Sequence, residues 1–165
     1  MTLNAPSSPR PESILDPDQI IIDPHHHLWD RRHLLAVLPP PRHPFETIVR
    51  QTPRYLLDEL LVDLTSGHRV VGTVHVECGS MYRPDGPPSH RCVGETEFVN
   101  GVAAMSASGA YGEVRACAGL VGHVDLTLGV AAQGVLEAHI AAGGGRFKGV
   151  RHSASWDAED RKSVV

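Results

Sequence analysis

The sequence predicts an α/β fold of the (β/α)8 TIM-barrel type, truncated to about four βα units. Three observations lead there. First, four short apolar runs alternate with helical patterns, the order that builds a parallel sheet from βαβ units. Second, every run ends in ionisable residues, and a barrel carries its site at the C-terminal strand ends. Third, the turn after the first run, "DPHHHLWD", contains no glycine. A dinucleotide-binding sheet would place a Gly-rich phosphate loop there.

The elements follow in order. Residues 1–19 are rich in Pro and Ser and carry no apolar core of signal-peptide length, so they are expected to be a disordered leader. "QIIID" (19–23) is the first strand, running on to His25 and His27. "TPRYLLDELLVDLTSG" (52–67) reads as a helix with Thr52 as N-cap, Pro53 at the first position and Gly67 as the stop. Leu56, Leu57, Leu60, Leu61 and Leu64 keep helical spacing within it. "RVVGTVHVE" (69–77) is the second strand and ends in His75 and Glu77. "GETEFVNGVAAMSASG" (94–109) is a second helix, with acids in its first turn and Phe98, Val102 and Met105 on one face. "VRACAGLVGHVD" (114–125) is the third strand, ending in His123 and Asp125. "GVAAQGVLEAHIAAGGG" (129–145) is a helix stopped by three glycines, and "RFKGVRH" (146–152) is the fourth strand, ending in Arg151 and His152. Long loops at 36–47 and 79–94 follow the first two strands, on the side where a barrel keeps its site.

A full barrel needs roughly 250 residues, so residues 20–165 are expected to be the N-terminal half of one. Half a barrel has two open strand edges, which favours self-association and loose folding.

Composition excludes several classes. Fifteen Lys and Arg against nineteen Asp and Glu give a net charge of -4, which supports neither nucleic-acid binding nor an anionic membrane surface. No run is long enough to span a bilayer. Three irregularly spaced cysteines are no disulfide framework, so a reducing, cytoplasmic compartment is expected. Eleven histidines are many for this length.

Side chains alternate along a strand, so His25 and His27 point one way, with Asp23 if the strand runs that far, and His26 points the other. Two imidazoles at a strand end can meet one ion such as zinc or manganese. A surface turn that binds nothing fits the spacing equally. His75, Cys78, His90 and Cys92 match no common structural-zinc spacing. Arg151 is placed to meet a substrate carboxylate with its planar fork, or to tie neighbouring loops. Trp29 walls the pocket or simply packs, and Cys117 reads as core.

"IIDPHHHLWD" resembles the first-strand signature of the amidohydrolase-2 (amidohydrolase-related) family, in its lactonase-like branch. The shape D-x-H-x-H-x-W-D is met by Asp23, His25, His27, Trp29 and Asp30. "GETEFVNGVA", "AGLVGHVDL" and "FKGVRH" resemble the family's next elements in the right order. The resemblance implies a barrel hydrolase that opens a lactone of a sugar acid or carboxylated ring, a small-molecule substrate. It implies His25 and His27 as ligands of a divalent metal, although some lactonases of this branch hold none tightly. The family's catalytic aspartate belongs to the eighth strand, beyond this chain, so no catalytic residue is assigned and the chain alone is expected to be inactive. A decarboxylase of the same superfamily and a truncated non-catalytic remnant are the alternatives.

Overall fold

The computed structural model describes residues 12–42 and 44–153. Most of the expected leader (1–11) and the end of the expected half barrel (154–165) lie outside the described residues. In chain order the elements are β1 (Ile20–His26), β2 (Trp29–Asp30), α1 (Arg32–Leu35), α2 (Pro44–Gln51), β3 (Arg54–Tyr55) and α3 (Leu57–Leu64). They continue as β4 (Arg69–Val76), α4 (Val93–Ala107), β5 (Arg115–His123), α5 (Ala132–Ala142) and β6 (Phe147–Arg151). Short 3-10 turns precede α4 and α5, at Pro88–His90 and Leu126–Ala131. None of the described helices is long and apolar enough to cross a membrane.

The four predicted strands form one parallel sheet in the order β1-β4-β5-β6. Each crossover moves one place in the same direction, so the sheet has no point where strand order reverses. No barrel closure is present among the described residues: β1 and β6 are its two edges. The crossover helices share one side. Leu57, Leu60 and Leu64 of α3 meet Val99, Val102 and Ala103 of α4 over Ala116 and Leu120 of β5. A second cluster, Cys92, Val93, Val124, Ala132 and Val135, seats α5 beside α4. On β1, by contrast, Ile20 and Ile22 remain 55% and 64% exposed.

Two details of the helices differ from expectation. Thr52 and Pro53 do not start α3. The chain there stays extended, and Arg54–Tyr55 pairs antiparallel with Trp29–Asp30. The Thr52 carbonyl accepts a hydrogen bond from Trp29 Nε1 at 2.8 Å. The helix begins four residues later, at Leu57, where the Glu59 carboxylate reaches back to the Leu56 amide at 2.8 Å. Tertiary pairing to Trp29 outweighs the local capping signal. In α4 the buried stripe is Glu95, Val99, Val102 and Ser106, and Met105 is 43% exposed. Of the expected face, Val102 is buried and Phe98 packs against the core, while Met105 turns outward.

Two glycines of α4 separate packing from propensity. A Cβ on Gly94 would lie 2.6 Å from the Met81 carbonyl oxygen and 2.7 Å from the Arg83 nitrogen, both backbone atoms. Only glycine lets the loop after β4 lie on the start of this helix. Gly101 has nothing near its missing Cβ. Gly101→Ala should therefore stabilise the protein by about 0.5–1 kcal/mol, whereas Gly94→Ala should destabilise it by about 1–3 kcal/mol through backbone displacement. Urea unfolding of both variants checks the opposite signs.

Candidate functional site

β1 ends beside β4, and this fixes the histidines. His26 pairs across the sheet with His75. The register slips between Asp23 and His26, so Pro24 and His25 bulge from the edge strand. Asp23 does not join the histidines with its carboxylate; its Oδ1 accepts from the His25 amide at 3.0 Å.

His25 and His27 come together. Their Nε2 atoms stand 3.2 Å apart, with the rings edge-on at 4.8 Å. His27 Nδ1 lies 2.7 Å from the Val76 carbonyl oxygen, at the end of β4. A carbonyl only accepts, so Nδ1 carries the proton and Nε2 presents its lone pair. His25 then donates its Nε2 proton to that lone pair. When the His25 proton sits on Nδ1 instead, the two lone pairs face one point. Burial, with the charges of His25 and Arg151 nearby, holds the His27 pKa below its ordinary value despite the Val76 bond.

His26 turns inward, as strand alternation requires. The Thr73 hydroxyl accepts from the Cys117 amide at 2.9 Å and is hydrogen-bonded to His26 Nε2 at 2.8 Å. Cys117 is fully buried and has φ +56°, an uncommon conformation for a residue with a side chain. It marks the bulge where β5 slips against β4 between Gly72 and Val74. Its thiol is pushed up to about 12 by burial and is core, as the sequence suggests.

Behind the pair lies a buried acid and base that the sequence reading did not single out together. His75 Nε2 is 3.5 Å from Glu95 Oε1, and both side chains are almost fully buried. Glu95 Oε1 also accepts from the Cys78 amide at 2.9 Å. Burial raises the Glu95 pKa, but His75 and the Cys78 amide bring it below its ordinary value. The other oxygen of Glu95 and both ring nitrogens of His75 lack a hydrogen-bonding partner among the described residues. The sequence signal was there: an acid at the first turn of a helix, directly after a glycine that admits a covering loop. His139 is a structural histidine, between Thr96 Oγ1 and the His123 carbonyl and stacked on Phe147.

In front of the pair opens a cleft of about 520 Å³, lined by His27, Trp29, Arg31, Ile48, Val49, Thr52, Cys78 and Arg151. Trp29 is stacked on Tyr55 at 5.2 Å and is fixed by its bond to Thr52. Arg151 borders the cleft but is engaged: Nε meets Glu77 Oε1 at 2.7 Å and Nη2 meets the Glu77 carbonyl at 2.5 Å. Asp30, the last residue of the D-x-H-x-H-x-W-D shape, is paired with Arg32 instead of the histidines. Cys78 lines the cleft as a thiol pushed up to about 12 by burial and by Glu95. His152 accepts from the Leu126 amide at 2.9 Å and holds the loop after β5.

Burial and His75 lower the His26 pKa from 6.5 to about 4 in the folded protein. Between those values the unfolded chain binds the proton and the folded chain does not. Stability therefore rises with pH across this window and is lost as pH falls through it. The contribution is on the order of 3 kcal/mol. Urea midpoints measured in chelator from pH 6.5 to about 4 should fall, and His26→Asn should flatten the fall. His27 and His139, also lowered, keep part of the slope. Parallel profiles for parent and variant would remove His26 from this account.

No family model matches the chain, and no curated protein or solved structure matches it.

Proposed function

We propose that the chain carries the metal-binding end of an amidohydrolase-type hydrolase that opens a lactone of a sugar acid or carboxylated ring. One observation carries this reading: the 3.2 Å approach of His25 Nε2 and His27 Nε2, with His27 Nδ1 anchored on the Val76 carbonyl. Two nitrogens bound tetrahedrally to one zinc at about 2.0–2.1 Å stand about 3.3 Å apart. A backbone carbonyl on the far nitrogen is the usual way a ligating imidazole is oriented. His25 and His27 would hold the ion and supply two positions of its shell. Among the described residues no group of three or more His, Cys, Asp or Glu converges on such a point.

When bound, a divalent ion such as zinc or manganese supplies Lewis acidity toward a carbonyl and acidifies water. The chain's own residues do the rest of what can be assigned. Trp29, Ile48 and Val49 give the cleft an apolar wall for a ring. Arg151 keeps Nη1 for a substrate oxygen while Glu77 holds the other two nitrogens. No general base is assigned, because Glu77 is committed to Arg151 and Asp23 to the His25 amide.

The finer fold belongs to the same proposal. Strands in sequential order with helices on one side are what consecutive units of a (β/α)8 barrel present. The exposed Ile20 and Ile22 suit positions that a barrel interior would cover.

Titration of the purified chain with Zn2+ or Mn2+ should show about one ion bound per chain. His25→Ala combined with His27→Ala should abolish it, and His26→Gln should leave it. Equal uptake by parent and double variant would sink the ligand assignment. With Co2+ bound, adding γ-butyrolactone should shift the visible band if the ring carbonyl reaches the ion. An unchanged band would separate metal binding from lactone chemistry.

A further inference from the structure

The cleft beside the histidine pair is lined by two arginines and by no carboxylate among the described residues. The two arginines are not equivalent. Arg151 is neutralised by Glu77, which takes two of its nitrogens. Arg31 forms no ion pair among the described residues. Its Nη2 donates to the Cys78 carbonyl at 3.2 Å, and its guanidinium carbon lies 5.7 Å from the centre of the Trp29 ring. Its own backbone is fixed as well, the amide donating to the Pro53 carbonyl at 2.7 Å. The neighbouring cations are otherwise occupied: Arg32 by Asp30, and Arg54 by Asp58 and Glu59.

A half-buried guanidinium has a choice of neighbours, and an acid is the usual one. Here a carbonyl and an aromatic ring hold the group in place and leave its charge uncompensated. Only one of its five N–H donors is used by these contacts. The ring stiffens the side chain without neutralising it. The cleft therefore carries one excess positive charge beside an apolar wall, on the same opening as His27.

We infer that Arg31 is the anion-holding residue of this cleft, and that its ligand is a small ring bearing a carboxylate, held by the planar fork of Arg31 while the ring lies along Trp29. The inference rests on the reading of this cleft as the substrate site, and it assigns the carboxylate contact to Arg31 in place of Arg151. Planar carboxylates suit a guanidinium in two parallel hydrogen bonds. A neutral sugar lactone would leave the charge unmatched.

The test compares γ-carboxy-γ-butyrolactone with its methyl ester, which has the same ring and no charge. Calorimetric titrations are run on the full chain in chelator, so the outcome does not depend on the metal. The acid should bind about tenfold more tightly than the ester, and added salt should narrow the gap. Arg31→Met should erase the preference. Arg31→Lys keeps the charge without the fork and should retain part of it, which guards against a loss caused by misfolding. Arg32→Met removes the same charge one residue away, outside the cleft, and should leave the preference intact. Equal binding of acid and ester by the parent, or an unchanged preference in Arg31→Met, overturns the proposal. Failure of the metal reading would instead appear in the ion titration and leave these affinities as they are.

Discussion

The hydrogen bond from His27 Nδ1 to the Val76 carbonyl ties the end of β1 to the end of β4, and the site depends on it. A parallel pair brings both strand ends to one edge, but it does not fix a side chain that lies beyond the last ladder bond. This contact does. It sets the tautomer of His27, turns Nε2 toward His25, and makes one wall of the cleft. The residues on either side follow: His26 falls to the inner face beside Thr73, and Leu28 is fully buried in the main core.

Around this contact the protein buries much polar chemistry in a small space. His26, Thr73, His75 and Glu95 are all nearly inaccessible. Burying such groups costs stability unless each finds a partner. Thr73 links His26 to the Cys117 amide, and Glu95 takes the Cys78 amide. His75 and Glu95 face each other but do not use all their atoms. A fold that needed only stability would fill this position with apolar side chains. An acid and two histidines are retained behind the surface histidine pair, where burial, with His75 and His27 nearby, lowers the pKa of His26.

The loop after β4 connects the site to the helices. It crosses the start of α4 at Gly94, where no side chain would fit, and closes over Glu95. Arg83 on this loop pairs with Glu97 on the helix. The acid would otherwise lie at the solvated N-terminus of a helix, where it needs no partner. Its burial is therefore a property of the loop, and only through the loop a property of the helix.

The sequence by itself determined the α/β class and the four strands alternating with helices, because apolar runs of strand length and the helical patterns between them are local signals; the neighbour order β1-β4-β5-β6 is set by tertiary pairing. It determined that His25 and His27 share a side and His26 does not, since alternation is a property of the backbone. Tertiary structure decided the rest. Thr52 and Pro53 carry the marks of a helix start, yet pairing with Trp29–Asp30 keeps the chain extended. Arg151 and Arg31 look alike in the sequence, and only the position of Glu77 separates a neutralised cation from an uncompensated one. The His75 and Glu95 pair joins residues twenty positions apart that no spacing rule connects. Contacts of this kind depend on where separate elements meet in space, and a single sequence records the residue types without recording the distances.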